Sequence, residues 1–357
     1  MMLGLLTIRP AQEPEYFTEI AKRAHLYNIK VARFTPANIN PATELVHGFI
    51  FHEQKQEWVQ EAFPIPPFIY DRCFYNGSEA ANKGKPIVEW LKKRPQTTFL
   101  GYGLPDKLHT YHILSQHKNI SPYIPVTEQA TIDSVLRGLA AYKDIVIKPV
   151  NGSGGNGFCR ISYIRGGIKV SRQTTQTVTE AFRTKDEFSI WLKKLLDSQA
   201  YLMQPFLSIQ DRYGRSFDIR VLLQKNEHGT WKETGRGVRL ASNHSIVSNL
   251  RHGSSVLSFK DWKQTYRKQE ISFLENEMNT FLLAIPNALE EALPPLFELG
   301  LDVSFDRNKA VWLLDINSKP GRKTILQSTP SCSEKLFHAP LAYCKHLAHA
   351  QKEADIT

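Results

Sequence analysis

Short apolar runs alternate with an amphipathic segment along the first hundred residues. Glu13–Tyr27 predicts a helix, because its apolar side chains recur three and four residues apart. The short apolar runs around it, bounded by polar and turn-forming residues, predict β-strands. These runs are Leu3–Ile8, Lys30–Phe34, Gly48–Phe51 and Pro67–Asp71. The alternation of strand and helix predicts an N-terminal parallel α/β domain over residues 1–100.

The pattern changes after a break at 101–105, where glycine and proline end the first region. Beyond it, strands separated by turns alternate with two helices. The predicted helices are Pro105–His117 and Phe188–Leu196. The predicted strands are Asp144–Val150, Phe158–Ile164, Ile168–Val170, Ala200–Leu207, Phe217–Gln224 and Gly235–Ala241. A long helical stretch, interrupted at Pro286 and at Pro294–Pro295, leads to a closing β-hairpin of Leu301–Phe305 and Ala310–Asn317. The fold class is therefore α/β.

Composition narrows the class of protein without naming it. The 357 residues suit two or three domains, and a hydrophobic content of 41% excludes a largely disordered chain. The four cysteines have no zinc-binding spacing, which favours reduced thiols and a cytoplasmic location. No apolar stretch is long enough to cross a bilayer. The apolar first ten residues lack a basic start and a cleavage site, so we interpret them as a strand rather than a signal peptide.

The formal net charge of +10 raises the question of nucleic acid. The lysines and arginines are spread along the chain, however, and the longest cluster, Lys92–Arg94, ends a helix-like segment where cations are favoured anyway. We therefore expect no nucleic-acid partner. Positive charge around a site for an anionic small molecule accounts for the balance equally well.

A glycine-rich loop, Gly152–Gly157, follows a strand that carries Lys148. Such a loop lets backbone N–H groups approach phosphate oxygens. It matches the Gly-x-Gly-x-x-Gly spacing of dinucleotide-binding loops, but Phe158–Ile164 predicts a strand where those loops open a helix. It lacks the Gly-Lys-Ser/Thr end of a Walker A loop and the partner motifs of protein kinases. We interpret it as a hairpin flap over phosphates; the alternative is a flexible hairpin loop without a ligand.

The closing hairpin carries polar residues within an apolar sequence. With a turn at 306–309, Asp302 is predicted to face Leu313, and Asp315 and Asn317 share the parity of Leu313. All three polar groups would then lie on one sheet face, with the two carboxylates as diagonal neighbours. Two carboxylates and an amide oxygen suit Mg²⁺. The alternative is an ordinary salt bridge beside a carboxylate at a strand end.

Between the loop and the hairpin lies a series of polar residues, several of them on predicted strands. It includes Gln204, Asp211, Asp218, Arg220, Arg236, Arg239 and Asn249. Arginines on strands indicate recognition of an anion by planar guanidinium groups. Alternatively, they point into solvent, as strand arginines usually do.

Taken in order, these motifs resemble an ATP-grasp ligase. The chain is most similar to the YheC/YheD-like branch, which is described as endospore coat-associated in Bacillus-type bacteria. The resemblance covers nearly the whole chain. Lys107 and Lys148 resemble the two nucleotide-binding lysines, and Gly152–Gly157 resembles the flap that closes over the phosphates. Leu202–Phe206 resembles the hinge whose backbone reads adenine, and Asp211 stands where an acidic ribose ligand is common.

The resemblance implies a role for each candidate residue. The implied cofactor-binding residues are Lys107, Lys148, Gly152, Ser153, Gly154, Gly155, Gln204, Phe206 and Asp211. The implied metal ligands are Asp302, Asp315 and Asn317, and the implied catalytic residues are Arg220, Arg239 and Asn249. Asp315 and Gln204 stand where many family members carry Glu. The cofactors implied are ATP and Mg²⁺, with Mn²⁺ as a substitute.

The function implied is carboxylate–amine ligation through an acyl phosphate. The substrates implied are an acidic small molecule or peptide and an amine, and spore coat components are further implied partners. The alternatives are an ATP-binding structural or regulatory coat protein with little turnover, and a phosphotransferase acting on another acceptor. The predicted architecture is an N-terminal α/β domain (1–100), a small ATP-grasp lobe (101–203), a large lobe (204–350) and a flexible tail (351–357).

Overall fold

The structure is a computed structural model that describes residues 1–75, 77–152, 157–173, 177–241 and 254–354. Its strands form three sheets. The strands of the first sheet are Met2–Leu6 (β1), Lys30–Phe34 (β2), Ile39–Asn40 (β3), Leu45–His52 (β4), Glu57–Pro64 (β5), Phe68–Asp71 (β6) and Thr98–Phe99 (β7). Those of the second are Glu128–Gln129 (β8), Asp144–Pro149 (β9), Cys159–Ile164 (β10), Gly167–Gln173 (β11), Thr177–Phe182 (β12) and Tyr201–Pro205 (β13). Those of the third are Phe217–Lys225 (β14), Trp231–Leu240 (β15), Ser255–Ser258 (β16), Glu298–Phe305 (β17) and Val311–Asn317 (β18).

Helices cover the faces of these sheets. The α-helices are Pro14–Arg23 (α1), Glu79–Lys92 (α2), Lys107–Ser115 (α3), Ile132–Tyr142 (α4), Lys185–Ser198 (α5), Phe259–Lys263 (α6), Lys268–Glu290 (α7), Lys323–Ser328 (α8) and Ser333–Ala354 (α9). Pro286 lies inside α7 and does not interrupt it, contrary to the prediction from the sequence. The helix ends at Glu290, before Pro294 and Pro295, which do break the helical pattern.

The first sheet has a parallel centre. β1 pairs in parallel with β2 and β6, and β6 pairs in parallel with β7, which confirms the predicted parallel layer. The β4–β5 hairpin adds antiparallel strands at one side. The sequence analysis missed β5, because Glu57, Gln60 and Glu61 interrupt its apolar residues and most of the strand is partly or fully exposed.

The second and third sheets are antiparallel. The second has the order β12-β11-β10-β9-β13-β8, and the third has the order β16-β15-β14-β17-β18. Strand β9, which carries Lys148, lies between β10 and β13. Strand β17, which carries Asp302, lies between β14 and β18. Lys148 and Asp302 therefore lie on interior strands, whose backbones are held on both sides, whereas Asp315 and Asn317 lie on β18 at the edge of the third sheet.

The first and last parts of the chain share one apolar core. Leu3 and Phe17 of the N-terminal region pack in the same cluster as Ile325, Leu336 and Cys344 near the C-terminus. Helix α9 packs against α1 and continues through Ala354, so the first four residues of the predicted tail are helical. Residues 355–357 lie outside the described ranges.

A buried group of charged residues joins the first sheet to the third; we call it the Glu298 network, and it comprises Glu13, Tyr70, Arg72, Glu298 and Arg322. Arg72 donates to both oxygens of Glu13 at 2.8 Å and to Glu298 at 2.7 Å. Arg322 donates to Glu13 at 2.9 Å and to Glu298 at 3.0 Å. Burial would raise the pKa of Glu13, but the two arginines lower it to about 2. The network therefore stays charged near neutral pH.

The segment after β18, residues 318–322, is held by neighbours from distant parts of the chain. Lys319 donates to the Asp71 carboxylate at 2.7 Å and to the Cys73 carbonyl at 2.9 Å. The N–H of Leu104 donates to Ser318 Oγ at 2.9 Å. These contacts, with the Glu298 network, fix the end of β18. Among the residues that the structure describes, no helix is long and apolar enough to span a membrane.

Candidate functional site

The β17–β18 hairpin brings the predicted metal ligands onto one face by a register that the sequence analysis had wrong. Asp302 does not face Leu313; it lies directly opposite Asp315. The partner of Asp302 moves by two residues for two reasons. The turn is one residue longer than predicted, so that Phe305 pairs with Val311, and Leu314 is the extra residue of a bulge between the pairs Val303–Leu313 and Asp302–Asp315. Leu313 therefore points into the core with 0% exposure. The bulge places the two carboxylates closer together than the predicted diagonal arrangement.

Lys107 reaches this hairpin from the first residue of α3. The helix begins there because Asp106 caps it, accepting the N–H of His109 at 2.9 Å. Lys107 Nζ lies 2.7 Å from Oδ1 of Asp315 and 2.9 Å from Oδ2, and the contact to Oδ2 is a hydrogen bond. The side chains are 17% and 27% exposed. The first predicted nucleotide lysine thus neutralises a predicted metal ligand.

Lys148 approaches the same strand from β9. Its Nζ donates to the Leu314 carbonyl at 2.9 Å and to Tyr111 Oη at 3.2 Å, and Tyr111 itself donates to that carbonyl at 2.7 Å. Part of the Lys148 side chain reaches solvent, but its ammonium group is enclosed by protein. That burial lowers the pKa of Lys148 to about 7; Asp315 opposes the shift and Lys107 adds to it. Lys148 can therefore gain or lose its charge near neutral pH.

Two arginines hold Asp302. Arg220 is bidentate, with Nε 2.5 Å from Oδ1 and the second nitrogen 2.9 Å from Oδ2. Arg239 lies 2.7 Å from Oδ1 of Asp302 and 2.6 Å from Asp218. Burial would raise the pKa of Asp302, but the two arginines hold it well below its usual range. Neither arginine points into solvent, which was the alternative interpretation. In this structure they pair with the proposed metal ligand, not with a free acid.

The predicted hinge lies on β13, between β9 and β8. Gln204 is buried and donates from Nε2 to Thr127 Oγ1 at 2.7 Å. Phe206 follows the strand; its N–H donates to the Asp144 carbonyl at 3.0 Å, and the guanidinium of Arg160 lies 3.6 Å from its ring centre. These contacts keep both side chains in fixed places. Their proposed role toward adenine stays a prediction.

Asp211 has a local structural role. One oxygen accepts the N–H groups of Tyr213 and Arg215 at 2.9 Å, and the other accepts Arg215 Nε at 2.8 Å. The side chain is 1% exposed. In this conformation both carboxylate oxygens are bonded within the turn, and the ribose role stays a prediction. Asp or Asn at the start of a tight turn often closes the turn in this way.

The phosphate flap falls partly outside the description. Gly152 is an exposed residue just after β9, whereas Ser153, Gly154 and Gly155 lie outside the described residues, as does the candidate catalytic residue Asn249.

Tyr111 was missed by the sequence analysis. Nothing in its own sequence context indicated a role, because its partners are a carbonyl of β18 and a lysine of β9.

The hairpin offers one group that fits a cation. Asp315 Oδ1 is buried and has no hydrogen-bond donor, although Lys107 is near it. Asp302 lies opposite, and Asn317, two residues on, donates to the Gly300 carbonyl at 3.3 Å, which leaves its amide oxygen as a possible ligand. Within the described ranges there is no group of three or more His, Cys, Asp or Glu residues that could hold a metal ion. Two carboxylates and an amide suit a hard cation that also takes phosphate oxygens.

Comparison with known proteins decides the family. A family model described as "YheC/D like ATP-grasp" matches residues 96–347. The endospore coat-associated protein YheC of Bacillus subtilis is 38% identical over 356 residues, which cover 99% of this chain and 98% of the relative. The chain belongs to the YheC/D-like ATP-grasp family. Endospore coat-associated protein YheD of the same organism is 23% identical over 81% of this chain and 64% of its own length.

Solved structures confirm the ATP-grasp fold, at sequence identities too low to show more than the fold. D-cycloserine synthetase DcsG matches with a TM-score of 0.56 at 12% identity, over 98% of this chain and 99% of its own. Macrocyclase MdnC from Microcystis aeruginosa, bound to its precursor peptide, matches with a TM-score of 0.53 at 13% identity, over 96% and 99%. D-alanyl-alanine synthetase A of Vibrio cholerae gives 0.53 at 12% identity, over 97% and 99%.

Proposed function

We propose that this protein is a Mg·ATP-dependent carboxylate–amine ligase that acts through an acyl phosphate. The observation that carries the proposal is the convergence of Lys107 and Lys148 on consecutive residues of β18. One contacts Asp315 and the other the Leu314 carbonyl, directly across from Asp302 and its two arginines. Cationic side chains from four separate elements (α3, β9, β14 and β15) meet around a pair of carboxylates. Such a site suits a polyphosphate chain accompanied by a divalent cation.

Each group has a role in this proposal. Lys107, Lys148 and the Gly152 loop hold phosphate oxygens, and the hinge at Gln204 faces the base. Asp302, Asp315 and Asn317 would hold Mg²⁺, which neutralises negative charge on the transferring phosphoryl group. The lysines stabilise the same charge by being in place before the reaction, so they reorganise little when it develops.

The reaction transfers one phosphoryl group and forms one amide bond. A substrate carboxylate oxygen attacks the γ-phosphorus of ATP, the bond to the bridging oxygen breaks, and ADP leaves. The amine then attacks the acyl carbon, phosphate leaves with the electron pair of the C–O bond, and the amine loses a proton. Arg220 and Arg239 act from the floor of the site. Both arginines pair with Asp302 in the present structure. They would therefore orient the Asp302 carboxylate and would not bind the substrate carboxylate directly.

A second candidate is a coat-associated protein that binds nucleotide without turnover, in the cytoplasm or at the spore coat. The names of the two relatives favour it, since both describe association with the endospore coat and neither states a reaction. The two candidates differ in their products. A ligase releases ADP and phosphate together with an amide, a phosphotransferase leaves a phosphorylated acceptor, and a binding protein leaves ATP unchanged.

Hydroxylamine should trap the acyl phosphate. We expect a hydroxamate when ATP, Mg²⁺ and hydroxylamine are supplied with the correct member of a panel of amino acids, dicarboxylates and peptides, because hydroxylamine replaces the amine in the second step. Mass spectrometry detects the product, and omission of ATP is the control. ADP release that is never coupled to a hydroxamate or amide across the panel would support the second candidate instead.

Nucleotide binding should depend on pH through Lys148. Its pKa of about 7 in the free protein will rise when phosphates bind, because negative charge favours the ammonium form. Binding above that pH therefore takes up a proton, and the affinity should fall as pH rises from 7 to 9, by at most about tenfold per unit. Calorimetry at pH 8.5 in buffers of different ionisation enthalpy measures the proton directly.

The Lys148→Met variant is the test of that assignment. It should lose the proton uptake and bind Mg·ATP about ten- to a hundredfold more weakly at pH 6.5, as expected for loss of a charge-assisted contact. Lys143→Met, which removes an exposed lysine five residues earlier, is the matched control. Equal proton uptake in wild type and Lys148→Met would assign the titration to another group.

A further inference from the structure

Every carboxylate proposed to bind metal is already paired with a cation of the same site. Asp315 is paired with Lys107, and Asp302 is paired with Arg220 and Arg239. Of these cations, the proposed function assigns Lys107 to phosphate oxygens and leaves the two arginines on Asp302. The free protein thus carries internal counter-ions where a divalent cation would go. The site has to exchange partners when its ligands arrive.

The two pairs differ in how readily they can open. Asp302 accepts two hydrogen bonds from Arg220 and forms an ion pair with Arg239, which is held in addition by Asp218. Lys107 makes one ion pair through a flexible stem, and both its side chain and that of Asp315 are partly exposed. Exchange at Asp315 therefore requires movement of one side chain, whereas exchange at Asp302 would disturb a buried network.

We propose that Lys107 is a specificity-determining residue, which keeps free divalent cations off Asp315 and so makes the site select the metal–nucleotide chelate. This inference rests on the proposed function, because it requires a nucleotide whose phosphates draw Lys107 away. The ammonium group lies 2.7 Å from Asp315 Oδ1, the buried oxygen that has no hydrogen-bond donor. A divalent cation binding that oxygen alone would have to displace Lys107 into water or approach it against like charge.

The phosphate chain changes this balance. When Lys107 moves onto phosphate oxygens it keeps a negative partner, and Asp315 is left free for the cation that the phosphates also bind. Metal-free ATP should bind less tightly than the metal–nucleotide chelate. When it draws Lys107 away, the Asp315 carboxylate faces the negative phosphates without a cation between them. Lys148 cannot replace Lys107 in this role while its ammonium group is bonded to the Leu314 carbonyl and to Tyr111. Metal and nucleotide should therefore bind with strong positive coupling.

Mn²⁺ titrations followed by electron paramagnetic resonance measure this coupling without turnover. Free Mn²⁺ gives a sharp signal that is lost on binding, and the titration is run with and without a non-hydrolysable ATP analogue. Wild type should bind Mn²⁺ at least tenfold more tightly with the analogue than without it, after correction for Mn²⁺ bound to the analogue in solution. Lys107→Met should bind Mn²⁺ alone at least tenfold more tightly than wild type does, and the analogue should then increase the affinity less.

Three variants control the result. Lys107→Arg keeps the positive charge and should exclude free Mn²⁺ as wild type does. Lys107→Met/Asp315→Asn should lose the Mn²⁺ binding that Lys107→Met gained. Lys323→Met removes an exposed lysine at the first residue of α8, eight residues beyond Asp315, and should titrate like wild type. If Lys107→Met does not fold, as judged by circular dichroism, Lys107→Gln takes its place with the same expectation.

The outcomes separate this inference from the proposed function. Equal affinity for free Mn²⁺ in wild type and Lys107→Met overturns the inference, as does wild-type protein that binds Mn²⁺ equally well with and without the analogue. Failure of wild type to bind the analogue at all, with or without Mn²⁺, overturns the proposed function itself. Gain of Mn²⁺ affinity in Lys107→Met that survives Asp315→Asn places the metal elsewhere and also overturns the inference.

Discussion

Replacing Glu298 by glutamine should lower the midpoint of thermal unfolding by about 4–7 °C. Glu298 is 2% exposed and accepts hydrogen bonds from Tyr70, Arg72 and Arg322. Without its charge, two buried arginines share the single carboxylate of Glu13. Removing one partner from a buried ion pair costs about 3–5 kcal/mol, and a chain of this length loses roughly 1.3 °C for each kcal/mol.

Differential scanning fluorimetry measures the midpoint, and a surface acid provides the comparison. Glu334→Gln removes the partner of Arg23 on the outside of α9, where the carboxylate is 62% exposed, and should leave the midpoint nearly unchanged. In hydrogen-exchange measurements, Glu298→Gln should lose backbone amide protection most strongly at the start of β17 and at Arg72. If the two variants shift the midpoint equally, the Glu298 network contributes no more than a surface pair.

Asp315→Asn should reduce Mg²⁺-dependent turnover by about a hundred- to a thousandfold while the fold survives. An amide is a poorer ligand for a hard cation than a carboxylate, and it no longer supplies the negative charge that Lys107 now neutralises. The size of the loss is that of removing one preorganised electrostatic contact to a transition state. Release of ADP in the presence of hydroxylamine and the acid that supports hydroxamate formation is the assay.

The same hairpin supplies a matched control for this variant. Asp306 lies at the hairpin turn, where one oxygen accepts the N–H groups of Asn308 and Ala310. Asp306→Asn keeps an acceptor there and lies outside the site, so it should retain wild-type turnover. Turnover of Asp315→Asn within tenfold of wild type would show that Asp315 is not a metal ligand in the reaction.

Local patterns predicted the secondary structure well and the contacts between distant segments poorly. The apolar strands β2 and β9 follow from local apolar patterns, and the shared face of Asp315 and Asn317 follows from their spacing of two residues. Asp302 reaches that face through the turn and the bulge, by a register other than the predicted one. The bulge at Leu314 did not follow, because a leucine fits either face and the register of β18 is set by its pairing with β17. The role of Tyr111 depends on a carbonyl 203 residues away, which no local pattern contains.

The arginines illustrate the same limit. Charge and strand position indicated that Arg220 and Arg239 would hold an anion, but the anion they hold is Asp302, which β17 brings alongside β14. The sequence pattern predicted no role for Arg72 or Arg322, although both are buried and bonded to Glu298. Pairing among side chains 24 to 226 residues apart requires the topology, since composition alone cannot choose between possible partners.

The first and last parts of the chain share one core, and this determines which segments could be exchanged between relatives. A fragment limited to residues 96–347, the segment that the family model matches, would keep α8 and most of α9. It would lose α1, against which α9 packs. It would also lose Glu13, leaving Arg322 without one of its two carboxylate partners. The segment that identifies the family is thus shorter than the unit that folds. Chimeras between relatives should therefore exchange the N-terminal sheet together with α8 and α9, although more than two hundred residues separate them in the chain.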